Sequence, residues 1–412
     1  MRILVLTQVV VYPADAGPKV KTLQVLRHLA KHHDVTYCTF IRSEREAQEA
    51  SVLRTFCKRV EMLPIKRSKL SDARFLMESL LVNDSFILRR DERSDMKALV
   101  RRLLSEEQID VLHVDQLNMM RFVPDDWQGT VVLDEHNAVW QVVERLRRGA
   151  RNPLARLLLK REVRLMRRLE GEECRRADVV LAVSEEDKMA LREVGGETLP
   201  VEVVPITVDA QHFASLYATR APLPMHILTI GTLFWPPNSE GILWWLRDGF
   251  PRLRTLCPEA AYDIVGARPP RALQALAEQL DGVQMHGYVA DAEPFWREAS
   301  VLMVPLLSGG GVRVKILEAM AMGVPVVSTT VGCEGLAIRD GEHLLIADTP
   351  QDLAQACARV LQDRELERTL AHNARELILE RYDVTSALRV LDDIYGRIGK
   401  QEQEEQTQGI SH

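Results

Sequence analysis

The chain has 412 residues, 46% hydrophobic and 27% charged, a soluble globular composition and too much chain for one ordinary core. Its 53 basic and 59 acidic residues leave a formal net charge of −6, which argues against a general nucleic-acid binder. The six cysteines (Cys38, Cys57, Cys174, Cys257, Cys333 and Cys357) show no CxxC pair and no histidine at metal-ligand spacing, so free thiols in a reducing, cytoplasmic setting are expected.

The N-terminus, MRILVLTQVVVYPADAG, reads as a buried first strand and its loop rather than a leader, because Pro13, Asp15 and Gly17 follow the apolar run at once. Strands are expected at Ile3–Thr7, Val35–Phe40, Val60–Pro64, Val111–Val114, Val131–Leu133, Val179–Val183 and Val201–Val204. Helical periodicity lies between them. Lys19–Lys31 puts Val20, Leu23, Leu26, Leu29 and Ala30 on one face, and Asp95–Glu107 does the same with Met96, Leu99, Val100, Leu103 and Leu104. Continuous apolar strands alternating with helices imply a parallel α/β sheet, buried on both faces.

The pattern pauses at Pro205–Pro224, so residues 206–224 are expected to link a first domain, 1–205, to a second, 225–382. Strands resume at His226–Ile230, Tyr262–Val265, Val283–His286, Val301–Val304, Val324–Ser328 and Leu344–Ile346, with helices such as Pro270–Leu280 and Lys315–Met322. The reading is two successive Rossmann-like units. Helices near Gln351–Asp363 and Arg364–Arg381 follow, then a last helix within 383–400 that is expected to pack back on the first domain. The polar tail 401–412 is expected to be disordered. No stretch reaches the roughly 18 apolar residues needed to span a bilayer.

The chemistry concentrates in Val304–Ser328, which reads strand, glycine turn, helix, Gly323 stop, strand. Gly309, Gly310 and Gly311 let a backbone approach a ligand closely, and a helix start favours an anion. Arg313 and Lys315 add two cations at the same turn, and Glu318 lies one helical turn on, where a carboxylate can accept from a ribose diol. A nucleotide diphosphate fits this spacing.

This stretch resembles the signature of glycosyltransferase family 4, a retaining family of the GT-B fold, in which two Rossmann-like domains face each other across a cleft. The resemblance implies an enzyme moving a sugar from a nucleotide diphosphate donor to a glycan or lipid-linked acceptor, in polysaccharide or glycoconjugate synthesis. In the family's Glu-x7-Glu motif the second glutamate corresponds to Glu318, on the donor ribose, whereas the first falls at Gly310. A branch with a GGG-x-R-x-K turn is the closer match, with backbone amides taking over that contact. The family's Arg and Lys after the first strand of the second domain are absent from Gly231–Gly241, so Arg313 and Lys315 are expected to stabilise the leaving group. Gly231, Thr232, Gly309, Gly310, Gly311, Val312 and Glu318 form the implied donor site. No Asp-x-Asp motif lies near it, so neither a metal nor another cofactor is expected.

In the first domain, Gly17 resembles the family's glycine loop beside the donor phosphates and acceptor. Leu112-His-Val-Asp-Gln116 and Leu133-Asp-Glu-His-Asn137 end two strands, and the resemblance points to His136 as the residue near the reacting carbon with Asp115 contributing. The acceptor hydroxyl is then expected to attack on the leaving-group face, its proton passing to the departing phosphate.

Glu144–Arg176 carries eleven arginines interleaved with leucines and is a candidate for contact with an anionic membrane; the competing reading is a solvated helix whose arginines pair with Glu144, Glu162, Glu170, Glu172 and Glu173. Phe234, Trp235, Trp244 and Trp245 are expected in a core or cleft wall. Two rival functions stay open at this point: a nucleotide-sugar binder without turnover, prompted by Gly310, and a GT-B-fold epimerase or phosphorylase.

Overall fold

The computed structural model describes residues 1–14, 17–150 and 152–409, with backbone alone for Lys69 and for residues 401–409. The chain divides into two compact units, Met1–Pro205 with Leu388–His412, and Ile206–Ala387.

The first unit builds a seven-stranded parallel sheet. In chain order its main elements are β1 (Arg2–Thr7), α1 (Gly17–His32), β2 (Asp34–Ile41), β3 (Arg59–Pro64), α2 (Lys69–Leu81) and α3 (Ser94–Glu106), then β4 (Val111–Asp115), β5 (Thr130–Asp134), α4 (Val139–Gly149), α5 (Pro153–Arg176), β6 (Val179–Ala182), α6 (Glu185–Gly195) and β7 (Val201–Val203). The spatial order is β3-β2-β1-β4-β5-β6-β7, so the chain reverses its direction of growth between β1 and β4. β1 lies inside the sheet between β2 and β4, with Ile3, Leu4, Val5 and Leu6 buried, as its unbroken apolar run implies. Helix starts are fixed locally. Ser184 accepts from Asp187 N at 3.1 Å to open α6, and Asn152 Oδ1 accepts from Leu154 N at 2.9 Å to open α5.

The second unit has a six-stranded parallel sheet in the order β10-β9-β8-β11-β12-β13. Its elements include β8 (His226–Ile230), α7 (Pro236–Trp244), β9 (Ala261–Val265), α8 (Arg271–Ala277), β10 (Val283–Gly287), β11 (Val301–Val304), α9 (Val314–Ala321), β12 (Val326–Ser328), β13 (Leu345–Ile346), α10 (Pro350–Gln362) and α11 (Arg364–Leu377). Trp245, Phe250 and Tyr262 fill its core. The last helix, α12 (Arg389–Gly409), belongs to the first unit and buries Leu391, Ile394, Tyr395 and Ile398 there.

The structure departs from the sequence reading at several points. Residues 206–224 are part of the second unit and not a free connection. Val208 N donates to Tyr382 O at 2.8 Å and Val384 N to Val208 O at 3.0 Å. Ala214–Thr219 is a short helix, and Arg220 reaches Gly323 O at 2.6 Å and Ala299 O at 2.8 Å. The second unit therefore extends to Ala387, beyond the expected 225–382. The polar stretch from Gln401 continues α12 to Gly409 instead of unravelling, while residues 410–412 lie outside the described residues. Glu144–Arg176 holds parts of two helices, α4 ending at Gly149 and α5 beginning at Pro153. Trp245 lies in the core, but Phe234 and Trp235 are exposed. All six cysteines are buried free thiols, and among the described residues no helix is long and apolar enough to cross a membrane.

Candidate active site

Open parallel sheets bind ligands at the carboxyl ends of their strands, where the strand order reverses. In the second unit that point lies between the neighbours β8 and β11, in register at Ile227–Val301 and Leu228–Leu302. Gly231 and Thr232 follow β8, and the turn Gly309–Arg313 follows β11. Gly309 and Gly311 have φ of 123° and 78°, conformations that glycine alone adopts without strain. A side chain at position 309 would also meet the Arg313 guanidinium at 2.9 Å.

α9 opens with Arg313 at the N-cap and no side chain capping its first amides, which suits an anion. Arg313 Nη1 donates to the carbonyls of Gly310 and Gly311, folding the guanidinium over its own turn. Lys315 Nζ donates to Glu318 Oε2 at 2.9 Å. Both expected cations are therefore engaged in the ligand-free chain, and Val312 is buried beneath them. Gly231 N donates to Val265 O at 3.0 Å, and a side chain at Gly266 would lie 1.9 Å from Gly231 O, so glycine there lets the loops after β8 and β9 touch. Thr232 O accepts from Asn238 Nδ2 at 3.0 Å.

One cation at these strand ends escaped the sequence reading. Arg268, just after β9 with φ 52°, lies 3.8 Å over the centre of the exposed Phe234 ring. Only the folded sheet brings these loops together.

The first unit offers a second cluster. Asp115 and Asp134 are register partners at the ends of β4 and β5. His136 Nε2 lies 2.9 Å from Asp115 Oδ1, off the line of a good hydrogen bond. The two residues expected to act together are thus adjacent. Thr22 Oγ1 donates to Asp115 Oδ1 at 2.9 Å, which ties the cluster to the helix that Gly17 opens. Gln116 sits at φ 75°, a strained value for a side-chain-bearing residue, and its Nε2 is 3.4 Å from His136 Nδ1.

Lys21, missed in the sequence, is buried and pairs with Asp134 Oδ1. Its signal was a lysine four residues before Val25 and eight before Leu29, on the buried stripe of α1. His113 approaches Asp134 Oδ2 at 3.7 Å from the other side and exchanges a 2.7 Å hydrogen bond with Tyr395 Oη of α12. Burial would raise the Asp134 carboxyl, but Lys21, His113 and His136 hold it well below the usual carboxylate range. Burial, with Glu170 and Asp134 nearby, pushes the Glu135 carboxyl well up. Asp115, Asp134 and His136 converge closely enough to share a cation, their ligand atoms lying within 4.8 Å of one another; the Lys21 ammonium already supplies positive charge there.

Residues 17–212 match the family model described as Glycosyltransferase Family 4, and residues 224–363 match that of the Glycosyl transferases group 1. The fold and these stretches define a glycosyltransferase-type protein of the α/β GT-B class, each unit carrying one such domain. The solved Anabaena HepE protein in complex with UDP-glucose superposes with a TM-score of 0.67 over 96% of this chain and 100% of that one, at 15% identity. The putative colanic acid biosynthesis glycosyltransferase WcaL of Escherichia coli is 28% identical over 199 residues, 45% of this chain and 47% of that protein. The phosphatidyl-myo-inositol mannosyltransferase of Mycobacterium leprae is 29% identical over 184 residues, 43% of this chain and 48% of that protein. The chain thus spans about half the length of these curated relatives.

Proposed function

We propose that the chain is a retaining glycosyltransferase that moves a sugar from a nucleotide diphosphate donor to a glycan or lipid-linked acceptor in polysaccharide or glycoconjugate synthesis. The observation that carries this reading is the glycine turn at the β8/β11 switch point, which opens α9 with uncapped amides and sets Glu318 one turn on. The UDP-glucose complex of HepE and the glycan-building names of the curated relatives support the substrate class.

In this scheme a diphosphate meets Gly309, Gly310, Gly311 and the start of α9. Arg313 swings from its own carbonyls onto the phosphate oxygens, exchanging two neutral acceptors for a charged one. Lys315 moves to the phosphate and releases Glu318 to the ribose. Once in place, these cations and the amides of the turn stabilise the leaving group as its charge develops. His136 and Asp115 contact the sugar, and the acceptor hydroxyl passes its proton to the departing phosphate. No divalent metal is required. The arginine- and leucine-rich span Glu144–Arg176 rests on an anionic membrane.

A thermal-shift panel of UDP-, GDP-, ADP- and TDP-sugars tests the donor assignment, since a ligand that binds the native state raises its apparent stability. Indifference to all four would sink it. With the donor known, transfer should persist in excess EDTA. Loss on chelation with rescue by magnesium or manganese would refute the metal-free scheme. Donor binding without transfer or hydrolysis would favour the non-catalytic reading that Gly310 prompts.

A further inference from the structure

An amphipathic helix usually turns its apolar face inward, yet α2 does the opposite. Leu70, Ala73, Met77, Leu80 and Leu81 recur at helical spacing and share one side of it. All five are exposed, Leu70 at 85% and Leu81 at 81%, and Val82 extends the patch past the helix end. The helix is properly begun. Ser68 Oγ accepts from Ser71 N at 3.1 Å and Ser71 Oγ from Ser68 N at 3.0 Å. Its last turn is anchored: Arg161 Nη2 of α5 donates to Ser79 O at 2.7 Å. On α5 itself Leu154, Leu157 and Leu158 form a second exposed stripe, one turn before Arg161.

The exposed charges around these stripes that lack an ion-pair partner are basic. Lys66, Arg156, Lys160 and Arg164 are exposed, and among the described residues none has an ion-pair partner. Asp72 and Glu78 are half-buried, and Glu78 is taken by Arg74 at 2.7 Å. The chain as a whole is negative at −6, so this basic face is a local feature. A second copy is a poor occupant, because a two-fold interface sets a patch against itself and would oppose these cations. A surface that is apolar below and anionic above fits both properties. With 13 residues, α2 is about 20 Å long, right for lying in a headgroup layer and too short to span a bilayer.

We infer that α2 is the element that enters an anionic lipid surface, with the first turns of α5 beside it. This rests on the reading of membrane contact through Glu144–Arg176, and it moves the apolar insertion to a helix outside that span. Burying several leucine-sized side chains supplies affinity that salt does not screen, while the cations supply the part that salt weakens.

The test is co-flotation of the full chain with phosphatidylcholine vesicles, with and without phosphatidylglycerol. The wild type should float with the anionic vesicles. Met77→Glu/Leu81→Glu should lower partitioning by about tenfold or more, with the melting temperature unchanged because both side chains already face solvent. Arg156→Ala/Lys160→Ala should reduce binding and flatten its salt dependence. If the α2 variant floats like the wild type while the α5 variant does not, the α2 assignment is overturned and the membrane reading stands. If the wild type ignores both kinds of vesicle, both fall. If it instead sediments as a dimer that Met77→Glu/Leu81→Glu dissociates, the face belongs to a second copy of the chain.

Discussion

Tyr395 Oη lies 2.7 Å from His113 Nδ1, so the last helix of the chain supplies a hydrogen-bond partner beneath the strand-end cluster of the first unit. Both residues are buried. Tyr395→Phe removes one hydroxyl at almost constant shape and leaves a buried imidazole nitrogen unsatisfied, which costs about 1–3 kcal/mol. Urea unfolding should show that loss. A double variant, His113→Leu/Tyr395→Phe, should lose less than the sum of its singles. Strict additivity would show that the two residues are not coupled.

Lys21→Met should be worse, because it strands Asp134 as a buried charge. Removing one partner of a buried pair costs about 3–5 kcal/mol. The folded Asp134 carboxyl is held below its unfolded value. Its stabilisation is therefore in place above about pH 4 and is lost as pH falls through the lower folded value. Denaturant midpoints taken from neutral pH into acid should show a shallower acid loss in Lys21→Met than in the wild type. Equal stability at neutral pH would contradict the pairing.

Asp263 accepts from His226 Nε2 and His286 Nε2, each at 2.6 Å. The hydrogen bond that His226 donates to Asp263 raises the His226 pKa against the opposing effect of burial. Its stabilisation is therefore full below about pH 6.5 and fades as pH rises through the higher folded value. Burial would raise the Asp263 carboxyl, but His226 and His286 hold it down, so its contribution fades instead as pH falls below about 4. The second unit should be most stable between these limits. Asp263→Asn should flatten that profile, and an unchanged profile would sink the assignment.

At the turn proposed to hold the donor, Arg313→Lys keeps the charge but loses the planar fork that can grip two phosphate oxygens. Steady-state kinetics should place most of its effect in kcat rather than KM, with a roughly 10²–10³-fold fall for Arg313→Ala. Glu318→Ala should weaken donor binding by about 1.5–3 kcal/mol. Because Lys315 pairs with Glu318, Lys315→Ala should retain more donor affinity than Glu318→Ala. The reverse order would overturn the exchange proposed for this pair.

Parallel strands were readable because burial on both faces leaves unbroken apolar runs. β8 and β11 match their expected bounds residue for residue. The helix expected near Gln351–Asp363 is α10, Pro350–Gln362, whose start Thr349 caps. The glycine turn and Glu318 were legible because one short segment holds them all. Lys21 with Asp134, and His113 with Tyr395, were not, since these contacts join residues 113 and 282 positions apart. Nor does amphipathic spacing say which side of a helix faces solvent. The outward stripe of α2 is visible only once the sheet beneath it is in place.

The bonds joining Val208 to Tyr382 and Val384 bring the two ends of the second unit side by side. That unit is therefore an insertion, bracketed in the gene by the two portions of the first. During translation the whole inserted module leaves the ribosome before Tyr395 does. His113 must wait for the last helix to be made, so the N-terminal unit cannot be completed before the inserted module has been synthesised, although most of it is made first. A premature stop after Ala387 would spare the glycine turn and damage the first unit. Conversely, the inserted module is the natural piece to exchange between related proteins, because its ends already meet.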